Sequence, residues 1–513
     1  MKYQVLHSRR AKYGGLTVSL TVVLIAAVVL LNVMFSTLAY HYSWYIDMTA
    51  EKVYSVSDEC KALIGGVIDK ENDRRAAAGM EELQLEILFA SDYNAFEQGS
   101  TSSYIYNTAR ELELEYPDTI TVSWFDCWVD KKLADELGVT ASTDVVLRVA
   151  DGESRAFGHR EFFMFSQSDS STPTGYGGDR CFASGLVYVL NTDRPTAYFT
   201  INHDEIFYDS QILLSLRDAG YNISMLDLYF DDIPEDCEVL VIFNPNADLI
   251  VADGVSERDE LDKLDRFLSR GGSLMVFYES DTPTLTNMET LLSDWGVSVL
   301  RDYDEETERY YNCMVKDDTA ALTSDGFTIL GEYVTESPAA DVTAVLRERD
   351  YVPRVVFRDA TTLSIPEGYA SSGVSTYVSG TRTRSDLFVA STSAVAYANG
   401  STVPTDMSTL PLLTLTEDSA TGGQVVVCSS VEFALEDYMQ SIVFGNNDML
   451  LCLAEKLGSV EPLLGLKFKP FTTDEISLIT TAQMRNWTLA LTITPAVLVI
   501  GAATIILVRR KYA

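Results

Sequence analysis

Histidine is scarce in this chain, four in 513 residues, and only His159 and His203 fall in its central part. No H-E-x-x-H occurs, which excludes a metalloprotease site built from two imidazoles on one helical face. The seven cysteines, Cys60, Cys127, Cys181, Cys237, Cys313, Cys428 and Cys452, include no C-x-x-C pair. That absence removes a redox dithiol and a zinc ribbon, and an odd, sparse count does not read as a disulfide framework. Most of them are expected to serve as small buried apolar groups. The chain has neither G-x-x-x-x-G-K-[ST] nor G-x-G-x-x-G, so neither a P-loop nor a dinucleotide fingerprint is present, and EF-hand spacing is also missing. No cofactor and no metal is expected. Basic charge is short as well: 38 Lys and Arg face 75 Asp and Glu, a net charge of −37. A surface that acidic repels phosphate polyanions, which excludes nucleic acid as a partner.

What the chain does have is two long runs without charge. Residues 16–39, LTVSLTVVLIAAVVLLNVMFSTLA, would reach about 36 Å as a helix, enough to span a bilayer. Residues 487–508, WTLALTITPAVLVIGAATIILV, are equally charge-free, with Trp487 at an interfacial position and Pro495 tolerable inside a bundle. Both are expected to be transmembrane helices. The first is too long for a signal-peptide core and lacks a good small-x-small site, so it reads as an uncleaved anchor. Lys2, Arg9, Arg10 and Lys12 precede the first run, and Arg509, Arg510 and Lys511 follow the second. Basic flanks stay in the cytoplasm. The tails 1–15 and 509–513 are therefore expected inside, in a two-pass cell-membrane protein whose partners include the lipid bilayer. No Asp or Glu lies before residue 47 or after residue 475, so the acidic bulk is expected outside.

The intervening length is too great for one ordinary core. Residues 40–79 read as a juxtamembrane linker and helix, with Ser57 as N-cap, Asp58 and Glu59 in the first turn, and Leu63, Ile64 and Val67 inward. Residues 80–185 alternate strand, helix, strand, helix and strand: 83–89, 103–116, 120–125, 131–137 and 144–149. That order resembles a thioredoxin-like α/β unit without its dithiol. Residues 186–301 give a clearer pattern: strands 196–201, 223–226, 239–243 and 273–278, with helices over 210–219 and 257–270 stopped by Gly220 and Gly271-Gly272. Strands alternating with amphipathic helices predict a Rossmann-like, mostly parallel sheet. Residues 302–420 are assigned to a β-rich insertion, residues 421–460 to completion of the Rossmann-like domain through strand 424–428 and helix 448–457, and residues 461–486 to a linker. The fold class expected is α/β throughout, flanked by the two transmembrane helices.

Several ordered pieces resemble the GldG-like auxiliary family of ABC transport systems. They are Asp47 to Thr49 with Tyr54 to Ser57, the turn Thr200-Ile201-Asn202-His203-Asp204-Glu205, Ala219-Gly220-Tyr221, and Ile233-Pro234 leading to Val239 through Ile242. Phe267 to Leu274, Gly423 to Ser429 and Asn446-Asn447-Asp448 complete the set. The chain departs from the family pattern at Asn202, where a glycine is usual, and at Met48 and Val56, where leucine is usual. The resemblance implies a membrane-anchored auxiliary subunit beside an ABC permease and a separate ATPase, with an ectodomain that binds a substrate or another protein. It does not name the substrate.

Chemistry in the central part is sparse. His203, Asp204 and Glu205 lie where open α/β sheets carry functional loops, with Asn244 at the end of a neighbouring strand, and these four are the candidate ligand-binding residues. Adjacent side chains cannot all converge on one ion, so the competing reading gives Asp204 and Glu205 a helix-capping role and packs His203 on the sheet. Strand 239–243 runs into Asn244-Pro245-Asn246 without Cys or Ser at the elbow, which disfavours a covalent hydrolase. Gly271-Gly272 and Gly422-Gly423 fit turns before strands. No catalytic residue is assigned. The alternatives left open are an extracytoplasmic hydrolase or metal-dependent enzyme using the His203 turn, and a structural scaffold for surface machinery.

Overall fold

The computed structural model describes residues 9–41, 47 and 52–471, except for 93–100, 151, 167–168, 192, 206, 208–210 and 253–257. The second charge-free run and the C-terminal tail lie outside the described residues. One helix, α1, covers Arg9–His41, longer at both ends than the predicted 16–39. Among the described residues no helix is long and apolar enough to cross a membrane. In α1 the unbroken stretch of described side chains runs only from Thr21 to Phe35, and all of these are exposed.

Helix α2, Asp58–Ala78, starts where Ser57 accepts a hydrogen bond from the Cys60 amide at 3.2 Å and stops at Gly79, whose φ of 70° is costly for a side-chain-bearing residue. Its buried stripe is Cys60, Ile64, Ile68 and Glu71. The predicted face is thus rotated, with Leu63 and Val67 only half-buried. The difference comes from Glu71, which goes inward because Arg74 and Arg75 both clasp its carboxylate at 2.7 Å.

The first sheet is made of β1 (Leu85–Phe89), β2 (Ile120–Trp124), β3 (Val145–Val149) and β4 (Ser154–Phe157) in the order β2-β1-β3-β4. β1 and β2 are parallel, joined through helix α3 (Ser102–Glu115), and β3 returns antiparallel after the short helix α4 (Lys131–Glu136). β5 (Phe163–Ser166) and β6 (Asp169–Tyr176) form a hairpin, followed by α5 (Gly178–Leu190). This last helix extends past the predicted boundary at 185. It is buried along most of its length because it lies between the two halves of the body, against β3 on one side and a helix of the next sheet on the other.

The second sheet has eleven strands. Its parallel half contains β7 (Thr196–Thr200), β8 (Asn222–Leu226), β9 (Cys237–Phe243), β10 (Ser273–Phe277) and strand Gln424–Cys428. They are ordered β8-β7-β9-β10 and then Gln424–Cys428, so the chain reverses its direction of travel across the sheet between β7 and β9. α6 (Ile212–Ala219) and helix Asn446–Leu457 cover one face, and α7 (Glu260–Ser269) and α8 (Thr286–Asp294) cover the other. Both faces of β9 are buried: Val239, Val241 and Phe243 toward the first helix pair, Leu240 and Ile242 toward the second. A strand covered on both sides loses the polar alternation and reads as a continuous apolar run.

Three expectations are corrected here. Residues 302–420 are not a separate insertion. Strand Pro411–Asp418 pairs antiparallel with Gln424–Cys428, and Arg382–Val389, Thr328–Tyr333 and Val355–Arg358 continue the same sheet, with the hairpin Ala370–Gly373 and Thr376–Ser379 on its flank. The boundary placed at 420 cuts a β-hairpin whose turn runs over residues 419–423. Mostly parallel is therefore correct only for half of the sheet; the other half is antiparallel. The linker beginning at 461 is also displaced, because Leu466 and Phe468 are buried and Lys469–Pro470 pairs with β6. Lys469 Nζ sits 2.8 Å from the Asp179 carboxylate and 2.7 Å from the Ser55 carbonyl, so this segment returns to the start of α2.

Candidate functional site

Ligands of open α/β sheets bind outside the carboxyl ends of the strands, at the point where the strand order reverses. In this chain that point lies between β7 and β9. The loops there are held in unusual backbone conformations: Asn202, Asp204 and Asn244 all take left-handed φ values, 77°, 55° and 52°. Asparagine and aspartate tolerate that region better than other side chains, so Asn202 keeps the turn that a glycine would otherwise supply.

The candidate triplet does not converge. His203 is buried, whereas Asp204 points outward and is exposed. The imidazole lies between two carboxylates, with Nδ1 3.2 Å from Glu205 Oε1 and Nε2 3.1 Å from Oε2 of Glu260, the first residue of α7. Burial by itself would push His203 down, but hydrogen bonds to Glu205 and Glu260 outweigh it and raise its pKa to about 9. At neutral pH the ring is an imidazolium with both nitrogens donating. Glu205 also accepts the His203 amide at 2.7 Å, and Glu260 accepts the Ile250 amide at 2.7 Å. The His203 carbonyl takes the amides of Asn246 and Ala247 at 2.8 and 2.9 Å. One residue thereby ties the end of β7, the loop after β9 and the start of α7. A general base needs a free lone pair, and this imidazole has none to offer.

Asn244 is brought to a different neighbour. It is buried, its Nδ2 donates to Glu279 Oε2 at 2.8 Å, and its Oδ1 has no hydrogen-bond partner. Glu279 follows β10, and burial raises its pKa, with Asp281 adding to the effect. Glu432, after strand Gln424–Cys428, and Asp359, after Val355–Arg358, are raised by burial too, and Arg358 offsets part of this at 3.0 Å from Glu432 and 3.5 Å from Asp359. Sequence reasoning missed these three acids. Their signal was position: each comes within four residues of a strand's carboxyl end. Half-buried carboxyls with raised pKa values can hold a proton or accept hydrogen bonds from a ligand.

The cysteines place no reactive thiol among them. All seven cysteines are buried and free. Cys428, closest in sequence to the carboxyl cluster, has its thiol pushed up to about 12 by burial, and Sγ donates to the Ser430 carbonyl at 3.3 Å. Thiols in that state are inert. No group of three or more His, Cys, Asp and Glu side chains able to hold a metal occurs among the described residues. Gly271, with φ 93°, and Gly422, with φ 79°, sit in turns that enter strands. At Gly423 an added Cβ would lie 2.4 Å from the Leu268 carbonyl oxygen, so close packing explains that glycine.

No family model matches the chain, and no curated protein matches it. Among solved structures, the N-terminal domain of mmIFT52 is similar to 52% of this chain over its own full length, at 14% identity and a TM-score of 0.36. The cytoplasmic protein STM3548 from Salmonella typhimurium matches 51% of this chain and 98% of its own at 14% identity and a TM-score of 0.30. A glutamine amidotransferase from Thermotoga maritima matches 51% and 97% at 12% identity and a TM-score of 0.27.

Proposed function

We propose that the chain is a membrane-anchored auxiliary subunit of an ABC-type transport system, of the GldG-like kind, whose folded body binds a ligand or partner without transforming it. The observation that carries this reading is the arrangement of side chains between β7 and β9. His203 is held there between Glu205 and Glu260, and the elbow after β9 presents Asn244 instead of a nucleophile. The names thioredoxin-like and Rossmann-like for the two sheets belong to the same proposal, supported by the strand orders and directions described above.

Anchoring rests on the ends. The described part of α1 exposes Val22 to Ile25, Val28 to Leu31 and Val33 to Phe35, apolar surface that water alone does not favour. This stretch lies inside the charge-free run 16–39, and a second such run occupies 487–508. Together with the basic flanks they support a two-pass topology, with both termini cytoplasmic and the acidic body outside. Purification of the full-length protein from native membranes in mild detergent is expected to recover an ABC permease and its ATPase in stoichiometric amounts. Recovery of the chain alone, from membranes in which such a pair is expressed, would contradict the proposal.

A further inference from the structure

A cavity of about 460 Å³ lies beyond the end of β10, where the loop 280–284 meets the hairpin of Arg301–Asp304 with Arg309–Asn312 and the strand Val395–Ala398. It shares no residue with the candidate site between β7 and β9. Its frame is satisfied from within. Asn312 donates from Nδ2 to the carbonyls of Ser280 and Thr282 at 3.0 and 2.7 Å. Arg301 donates to both carboxylate oxygens of Glu289 at 2.6 Å and to Asn312 Oδ1 at 2.8 Å. A wall held this way is set before a ligand arrives, which limits the ordering cost of binding.

The surface this frame presents is of two kinds. Four aromatic rings from separate segments border it: Tyr310, Tyr311, Phe327 and Tyr397. Tyr310 is 66% exposed and packs on Tyr303 at 5.0 Å between centroids, while Phe327 and Tyr397 meet edge to face at 5.9 Å. On the same wall stand Asp281, Thr284 and Asn399, all exposed. None of their side chains has a hydrogen-bond or ion-pair partner among the described residues. A carboxylate, a hydroxyl and an amide are thus open to solvent and free to meet a ligand.

Charge narrows the ligand class. Among the described residues Arg301 is the one cation on this wall, and Glu289 already holds both of its Nη groups, while Asp281 is an unpaired carboxylate. An anion would meet repulsion there without a free counter-charge. A cation would compete for rings already in use, because Lys316 Nζ lies 4.7 Å from the Tyr397 centroid and 5.9 Å from that of Phe327. A neutral molecule escapes both costs. It must offer C–H surface to the rings and hydroxyls to Asp281, Thr284 and Asn399. A pyranose does so: its C–H faces carry slightly positive hydrogens that suit the negative face of an aromatic ring. We propose that this cavity binds a neutral glycan. Its volume falls within the ~300 to 1,000 Å³ of small-molecule sites and admits a segment of about two sugar rings. The inference deepens the binding role proposed above and rests on that reading for its biological sense. Its test reads sugar binding alone, so a failure to recover a transporter and a failure to bind sugar are separate results.

Saturation-transfer NMR of the full-length protein, held in a detergent without a sugar headgroup, tests it. The probes are cellobiose, maltose and N,N′-diacetylchitobiose, with glucose compared against glucosamine and glucuronate. At least one neutral disaccharide is expected to bind, and neither charged monosaccharide is expected to bind as well as glucose. Tyr310→Ala and Asp281→Ala replace exposed side chains, so the fold is expected to survive both. Each is expected to weaken the bound disaccharide about tenfold, through loss of a stacked ring or of a hydrogen bond to a charged acceptor. No transfer to any of the three disaccharides at millimolar concentration, a charged monosaccharide binding more tightly than glucose, or unchanged affinity in both variants would each overturn the proposal. The ligand comparison on the unaltered protein decides the matter even where a variant does not fold.

Discussion

Replacing Arg384 with alanine is expected to destabilise the folded body by about 3 to 5 kcal/mol, the cost of breaking a buried ion pair from one side. Arg384 is fully buried within strand Arg382–Val389, and Asp386 is 1% exposed. The guanidinium donates from Nε and Nη2 to Asp386 Oδ1 at 3.2 and 3.0 Å, and from Nη1 to the carbonyls of Gly296 at 2.6 Å and Ser364 at 2.9 Å. It thus ties the turn after α8 to the antiparallel half of the sheet. Burial already raises the Asp386 pKa and Arg384 opposes that rise. Without the arginine, the carboxylate must stay charged in an apolar place or take up a proton. The double change Arg384→Met with Asp386→Leu removes both charges and is expected to recover most of the loss. Denaturant unfolding of the unaltered protein and the two variants measures this. A single-variant loss under about 1 kcal/mol would mean that the pair is not buried as described.

His203→Ala is expected to cost a comparable amount, about 3 kcal/mol near pH 7, because two buried carboxylates, Glu205 and Glu260, are left side by side without their shared cation. The pH dependence follows from the directions of the shifts. The His203 pKa is raised above the ordinary 6.5, so its contribution is complete below about 6.5 and fades as pH rises through about 9. Burial would raise Glu205, but hydrogen bonds from His203 lower it, so its contribution is present at neutral pH and fades on acidification. The deficit of the alanine variant is therefore expected to be largest from weakly acidic to weakly alkaline pH and to shrink on both sides. A catalytic histidine predicts the opposite pattern: lost activity with an almost unchanged Tm. Melting curves of the two proteins across pH, read beside the imidazole titration by NMR, separate the two roles.

The parallel half of the large sheet was legible because its strands are short apolar runs bounded by helices whose stop signals are glycines: Gly220 after α6 and Gly271-Gly272 after α7. The antiparallel half was read only as a β-rich stretch, and its continuity with the parallel strands was missed for an equally physical reason. Strand Pro411–Asp418 carries Thr414 and Thr416 at fully buried positions, so a polar-looking stretch is in fact core. Thr416 Oγ1 donates to the Trp295 carbonyl at 2.8 Å, which satisfies the hydroxyl and makes its burial tolerable. Arg384 and Asp386 hid in the same way, as a charged pair that composition assigns to the surface. At the candidate site, His203 and Asn244 were found from their place after strands, but their roles depend on Glu260 and Glu279, 57 and 35 residues away in sequence. Pairing across such distances leaves no local periodicity. The Arg155–Asp218–Arg180 contact, which joins the two sheets, was invisible for the same reason.

The most direct test of the account is whether the folded body is held outside a membrane by apolar ends. Cells carrying the full-length protein with a tag at each terminus are to be treated intact with protease, and their membranes then washed with alkaline carbonate. Both tags surviving in the washed pellet while the segment between residues 47 and 475 is cleaved is the predicted result. Full-length chain released into the wash, or tags digested with the body intact, would contradict it.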